Sequence, residues 1–325
     1  MNLAEFLASF DAQPVWKANG QRAPHKALAL LYAMGQLQHG NRLVRFANGE
    51  PHITSLLKRF GPPRHVQHAS QPIWRLRPRT ADAIAIWEVK IDNAPVLPDT
   101  DNPPEAILRR EGSFGLSTAA ATLFQDDREA MVTAAGAIAD SIVPDTLRDD
   151  LLAATIGTDE LPEGNASPTP AGLQQHRRIR TYRLQRDPGF SRRVLEAYGY
   201  QCAICSASPR LGTDRFGLEA AHIRWVQAAG PNVISNGLCL CRMHHIALDR
   251  GAITVDESHV VAVSPLVDRS TQSDQLFWQF DSKPIRPPTA GNGAPNPEFC
   301  AWHRDEVFRF GGGDKPADAS ATQVA

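Results

Sequence analysis

The sequence predicts an α+β chain of two domains, the first helical and winged-helix-like, the second a zinc-stabilised β-hairpin followed by a helix (ββα). Three observations predict this. Helical periodicity gives way to strand-like alternation within the first ninety residues. A stretch rich in Pro, Gly, Ser and acid interrupts the middle of the chain. Four of the five cysteines fall between Cys202 and Cys241 in the second half.

A short amphipathic helix is expected over residues 3–10, and a stronger one over 25–37, HKALALLYAMGQL, with Pro24 at its start. A turn at 39–41 leads to a strand, RLVRF, and residues 54–60 form a helix stopped by Gly61-Pro62-Pro63. PIWRLR (72–77) and AIAIWEVKI (83–91) alternate like strands. From 103 to 157 the pattern is helical, including 126–138 and 145–156, with Asp126 and Asp127 read as acids at a helix N-terminus. Leu28, Leu30, Leu31 and Trp74 are read as core. The N-terminal domain thus spans 1–157, a linker 158–176, the second domain 177–310 and a disordered tail 311–325. In the second domain, PIRPPTAGNGAPNP reads as a loop wrapping the core, Cys300 as buried in a last helix and His303 as a surface residue.

No apolar run is long enough to span a bilayer, and the N-terminus lacks the basic and apolar regions of a signal peptide, so a cytoplasmic protein is expected. The net charge of -1 conceals segregation. Residues 1–80 hold 11 Lys/Arg against 3 Asp/Glu, residues 176–255 hold 12 against 5, and the stretch between them holds 5 against 17. Two basic lobes around an acidic middle suit contact with a polyanion.

Without a secretion signal, clustered cysteines favour metal over disulfides. Cys202-x-x-Cys205 with Cys241-x-x-His244 makes a tetrahedral zinc set, thiolates and imidazole matching a borderline-soft ion. Cys239 stands as an alternative to Cys241, since both lie on one face of a strand. The residues between and beyond fit a single-metal phosphodiesterase. His222 ends the short strand 218–223, where a neutral imidazole can deprotonate a water aimed at phosphorus. Asn236 follows at the second strand. His245 and Asp249 lie four apart on one helical face and can share a divalent cation, Mg²⁺ or Mn²⁺, which would stabilise the phosphorane and the leaving 3′-oxygen.

The segment RDPGFSRRVLEAYGYQCAICSASPRLGTDRFGLEAAHI…GPNVISNGLCLCRMHHIALDRGAITV resembles the HNH domain of McrA-like restriction endonucleases. The resemblance implies that His222 is the general base, that Asn236 holds the loop and orients the base, and that His245 and Asp249 are metal ligands. Where many HNH enzymes carry a further ligand just before the first His, this chain has Ala221, which leaves that position to Glu219 or water and the metal preference open.

The first half offers a basic helix start (Arg22, His25, Lys26), a Pro-rich turn at 61–64 and an aromatic-basic stretch at 72–79. APHKALALLYAMGQL…LLKRFGPPRHVQHASQPIWRLR…AAATLFQDDREAMVTAAGAIADSIVPDTLRDDLLAATIG is similar to the sulfur-binding domain of phosphorothioation-dependent type IV restriction enzymes. That resemblance implies a pocket containing the Pro72 ring, Gln71, His25 and Lys26, with Arg64 and Arg75 as backbone or base contacts. Gln71 stands where the family commonly has an aromatic residue. Sulfur, softer and less hydrated than oxygen, can enter a shallow apolar pocket at lower cost. The expected function is therefore cleavage of phosphorothioated double-stranded DNA. Two alternatives remain, a nuclease reading methylated or hydroxymethylated bases and a zinc-stabilised DNA-binding protein that does not cut. A double-strand cut needs two nicks, which calls for a homodimer or two binding events.

Overall fold

A computed structural model describes residues 1–13, 23–64, 66–78, 85–92, 100–157, 188–289 and 293–311. Arg22, Arg79, the linker 158–176, the expected domain start at 177 and nearly all of the tail lie outside these residues. The chain divides into two compact units, Met1–Arg186 and Asp187–Ala325. Both mix helix and sheet.

In the first unit, helix α1 (Leu3–Asp11) is fixed at its start by a reciprocal capping box between Asn2 and Glu5. Helix α2 (His25–Gln38) is rich in Ala and Leu, strong helix formers. It is buried on every side from Ala27 to Gly35, which makes it the axis of the unit. Around it stand β1 (Leu43–Arg45), α3 (Phe46–Phe60), α4 (Ser70–Arg75), β2 (Trp87–Ile91), α5 (Glu105–Glu111), β3 (Gly112–Leu116), α6 (Thr118–Asp126), α7 (Arg128–Ile142) and α8 (Asp145–Thr155). The sheet runs β1-β3-β2, both pairings antiparallel, with Val44, Phe114 and Val89 in register.

Four expectations need correction here. The strand expected at 72–77 is helical over Ser70–Arg75. Six residues cannot separate the two periods, and Pro72 sits in the first turn, where its missing N–H would have no partner within the helix anyway. Helix α3 begins at Phe46 rather than residue 54 and continues through Pro51, because Phe46, Gly49, Ile53, Leu56, Leu57 and Phe60 form a buried stripe at helical spacing. The central strand β3 interrupts a region read as helical. GSFGL has weak strand propensity, but it is paired on both sides, and a Cβ at Gly115 would lie 1.9 Å from the carbonyl oxygen of Arg42. Asp126 ends α6, so only Asp127 caps a helix start, accepting the Ala130 N–H at 2.9 Å.

The second unit opens with α9 (Pro188–Ala197), followed by two short strands, β4 (Arg210–Leu211) and β5 (Asp214–Arg215). Strand β6 (Leu218–His222) pairs antiparallel with β7 (Gly237–Cys241), placing His222 opposite Gly237 and Leu218 opposite Cys241. Helix α10 (Arg242–Asp249) follows without a break, which completes a ββα unit. Behind it lie β8 (Ile253–Val255) with β9 (Val261–Val263), the short helix α11 (Thr271–Leu276) and α12 (Pro297–Glu306). The described part of the Pro-rich loop straps the unit, with Arg286 N–H bonded to Ala203 O and Thr289 N–H to Ala197 O, both at 2.7 Å. His303 is wholly buried, contrary to the surface position expected. Its Nδ1 accepts from Thr254 Oγ1 at 2.8 Å and its Nε2–H donates to Leu248 O at 3.0 Å, so it ties α12 to the end of α10.

Candidate active site

Two Cys/His/carboxylate sets meet at α10. The first gathers Cys202, Cys205, Cys241 and His244, whose ligand atoms all lie within 4.8 Å of one another. Cys202 and Cys205 come from the turn after α9, Cys241 caps α10 and His244 lies in its first turn. The Cys241 sulfur lies 3.2 Å and the Cys202 sulfur 3.6 Å from His244 Nδ1, and Cys205 and Cys241 sulfurs are 3.9 Å apart. His244 Nε2–H donates to Leu276 O at 2.8 Å, a bond that fixes the tautomer and turns the Nδ1 lone pair toward the sulfurs. Hydrogen bonds from Cys205 and Cys241 hold the Cys202 thiol far below its ordinary value. Three sulfurs and one imidazole nitrogen at these separations fit a tetrahedral soft-ligand ion. Cys239 lies outside the set. It is fully buried in the apolar core, and burial, with the Cys202 and Cys241 charges, pushes its thiol up to about 12. Cys300 is likewise buried and pushed up to about 12, first by burial.

The second set begins at the next residue of α10. His245 is buried, Glu219 Oε2 lies 2.6 Å from its Nδ1, and Asp249 Oδ2 lies 3.3 Å from its Nε2. A neutral His245 that donates Nδ1–H to Glu219 points its Nε2 lone pair at a carboxylate oxygen. Two acceptors so placed fit a shared cation, since ligands ~2.1 Å from one ion at a right angle are roughly 3 Å apart. Ala221 is buried and contributes no donor. Glu219, two residues earlier on the same strand face, reaches His245 from the side, and Arg242 lies 3.7 Å from its other oxygen.

His222 ends β6 and is half-buried. Its ring stacks on Phe190 of α9 with centroids 4.0 Å apart and 16° between planes, and its Nε2–H donates to Asn232 Oδ1 at 2.9 Å. Asn236 lies in the turn just before β7 rather than in the strand, and is completely buried. Its Oδ1 accepts Arg224 N–H at 2.8 Å, while its Nδ2 donates to Arg224 O at 3.0 Å and Pro231 O at 2.9 Å. Asn236 therefore closes the loop from 223 to 236 and fixes the end of the strand that carries His222. Sequence reasoning missed Phe190 and Asn232. A stacked aromatic 32 residues upstream and an exposed Asn in a turn carry no local pattern.

In the first unit, helix α2 packs on α4, which brings together the elements bearing the expected sulfur-pocket residues. His25 and Lys26 are half-buried at the start of α2. Pro72 is buried, Gln71 is half-buried with its Oε1 buried and unpaired, Arg64 is half-buried with Nη1–H on Pro63 O at 3.1 Å, and Arg75 is exposed. Trp74 is core: its Nε1–H donates to Thr100 O at 2.8 Å and the Arg77 guanidinium covers its ring at 3.4 Å.

No curated protein matches the chain. A solved structure titled "Modification dependent TagI restriction endonuclease" matches at 21% identity and a TM-score of 0.30, over 37% of this chain and 37% of its own. The chain thus spans just over a third of that protein's length. Residues 3–160 match the family model "ScoMcrA-like, DNA sulfur-binding domain", and residues 202–256 match "HNH endonuclease". The chain therefore joins an N-terminal domain of the ScoMcrA-like DNA sulfur-binding family to a C-terminal domain of the HNH endonuclease family.

Proposed function

We propose that the chain is a modification-dependent restriction endonuclease that reads phosphorothioated DNA through residues 1–157 and hydrolyses nearby phosphodiester bonds through residues 177–310. The observation that carries this reading is the union, in one chain, of a match to a DNA sulfur-binding domain with an HNH match whose His222, His245 and Asp249 stand on one ββα unit.

His222 acts as the general base. The bond to Asn232 puts its proton on Nε2 and leaves the basic lone pair on Nδ1, while the Phe190 ring holds the imidazole plane. Water oxygen attacks phosphorus as its proton passes to His222, and the bond to the 3′-oxygen breaks. His245 and Asp249 would hold a divalent cation, Mg²⁺ or Mn²⁺, which supplies positive charge against the phosphate and the leaving oxygen. Glu219 orients His245 from its far nitrogen. The Cys202, Cys205, Cys241 and His244 set would hold a structural Zn²⁺ that fixes the start of α10. A double-strand cut needs two nicks, from two copies or two binding events.

In the first unit, Gln71 and Pro72 of α4 with His25 and Lys26 of α2 would form the sulfur pocket, and Arg64 and Arg75 would contact the backbone or bases. Competition binding of the full chain tests this, with one duplex prepared unmodified, phosphorothioated or cytosine-methylated. The sulfur-bearing duplex is expected to bind roughly 10³-fold more tightly than the unmodified one. Equal affinities, or preference for the methylated duplex, would contradict the assigned mark.

A further inference from the structure

We infer that the β4–β5 hairpin is a DNA-gripping element of the second unit, taking the phosphate backbone between Arg210 and Arg215 and pressing Leu211 and Phe216 against the groove. This rests on the reading of the chain as a DNA-cutting enzyme.

The hairpin lies between the Cys202/Cys205 turn and the strand that ends in His222. It is only two residues per strand, turned by Gly212, whose φ of +61° an L side chain rarely adopts. Every residue from Arg210 to Gly217 is exposed. Such a ribbon is marginal by itself, and its composition weakens it further. Arg210 and Arg215 are direct cross-strand partners, and like charges placed opposite one another repel. Among the described residues neither has an ion-pair partner, and Arg215 lies over the Tyr200 ring at 3.9 Å, a contact that leaves its charge unmatched. The Leu211 side of the ribbon is as unusual. Leu211 is 77% exposed and Phe216, just past the second strand, 57%.

Arginines paired on one face of the ribbon, and exposed Leu211 and Phe216 with Asp214 on the other, suit a ribbon set edge-on to duplex DNA, whose anionic phosphates flank base steps that apolar side chains can wedge against. An apolar protein surface would satisfy the apolar pair but not the two cations, which call for a polyanion. The hairpin is also anchored to the cutting site. Gly217 O accepts the Arg242 N–H at 3.2 Å, which ties the base of the ribbon to the start of α10. Arg242 itself is exposed beside Glu219, and extends the positive strip toward His245.

The test uses the full chain and one duplex, with and without a phosphorothioate, titrated from ~0.05 to ~0.2 M salt. R210Q/R215Q is expected to bind both duplexes about tenfold more weakly at ~0.15 M salt, with a log–log salt slope shallower by roughly two and an unchanged sulfur-to-oxygen ratio. R210K/R215K keeps the wild-type slope, because lysine retains the charge. If the arginines served only to pack on Tyr200, both variants would weaken binding alike, and the inference would fail. F216S weakens binding by a factor that does not vary with salt. A wild-type slope in R210Q/R215Q overturns the gripping role and leaves the nuclease standing. A wild-type chain that binds no duplex overturns both.

Discussion

The two donor sets on α10 differ in one respect that, on the proposed function, would separate structure from catalysis. The Cys202, Cys205, Cys241 and His244 set is closed, with four protein donors gathered within 4.8 Å, which fills a tetrahedral ion. The His245 and Asp249 pair is open, two donors on one turn of helix with Glu219 occupied on the far side of the imidazole. Consecutive residues, His244 and His245, thus point to opposite ends of this contrast. A closed set spends its donors on holding the fold, whereas an open one leaves coordination positions for water and phosphate.

Removing the closed set's ion should break the unit itself. His244→Ala, or a strong chelator on the wild type, is expected to lower the melting temperature of the second unit sharply and leave the first unit's transition in place, because structural zinc contributes on the order of 10 kcal/mol. Calorimetry with zinc quantification measures this; an unchanged second-unit transition in a zinc-free sample would show that the set is not structural. The support around the open set should matter less, and only for rate. Asn232→Ala frees the His222 tautomer, so kcat is expected to fall about tenfold with binding and zinc content unchanged. Asn232→Asp, which keeps an acceptor, should recover most of the rate. Equal loss in both variants would remove Asn232 from the positioning of His222.

The same contrast explains what could be read from the sequence. Donor spacing is local chemistry. Cys-x-x-Cys, Cys-x-x-His and a His and Asp four apart declare themselves before any fold is known, and the structure gathers the first set and the second pair as spaced. Groups that act through a fold-made neighbour did not declare themselves. Asn232 and Phe190 reach His222 only because a turn and α9 close over β6. His303, among Arg and Asp in a polar helix, read as surface until α12 folded back on Thr254 and Leu248. Strand β3 failed for a related reason: its Gly-rich residues are chosen by the strands on either side, not by their own propensity.

The central claim is tested most directly by cleavage of one plasmid, phosphorothioated and unmodified, by the wild type and His222→Ala in Mg²⁺ or Mn²⁺. The account predicts cutting confined to the sulfur-bearing plasmid and reduced about 10³-fold or more in the variant. Cutting that ignores sulfur, or that survives the loss of His222, would contradict it.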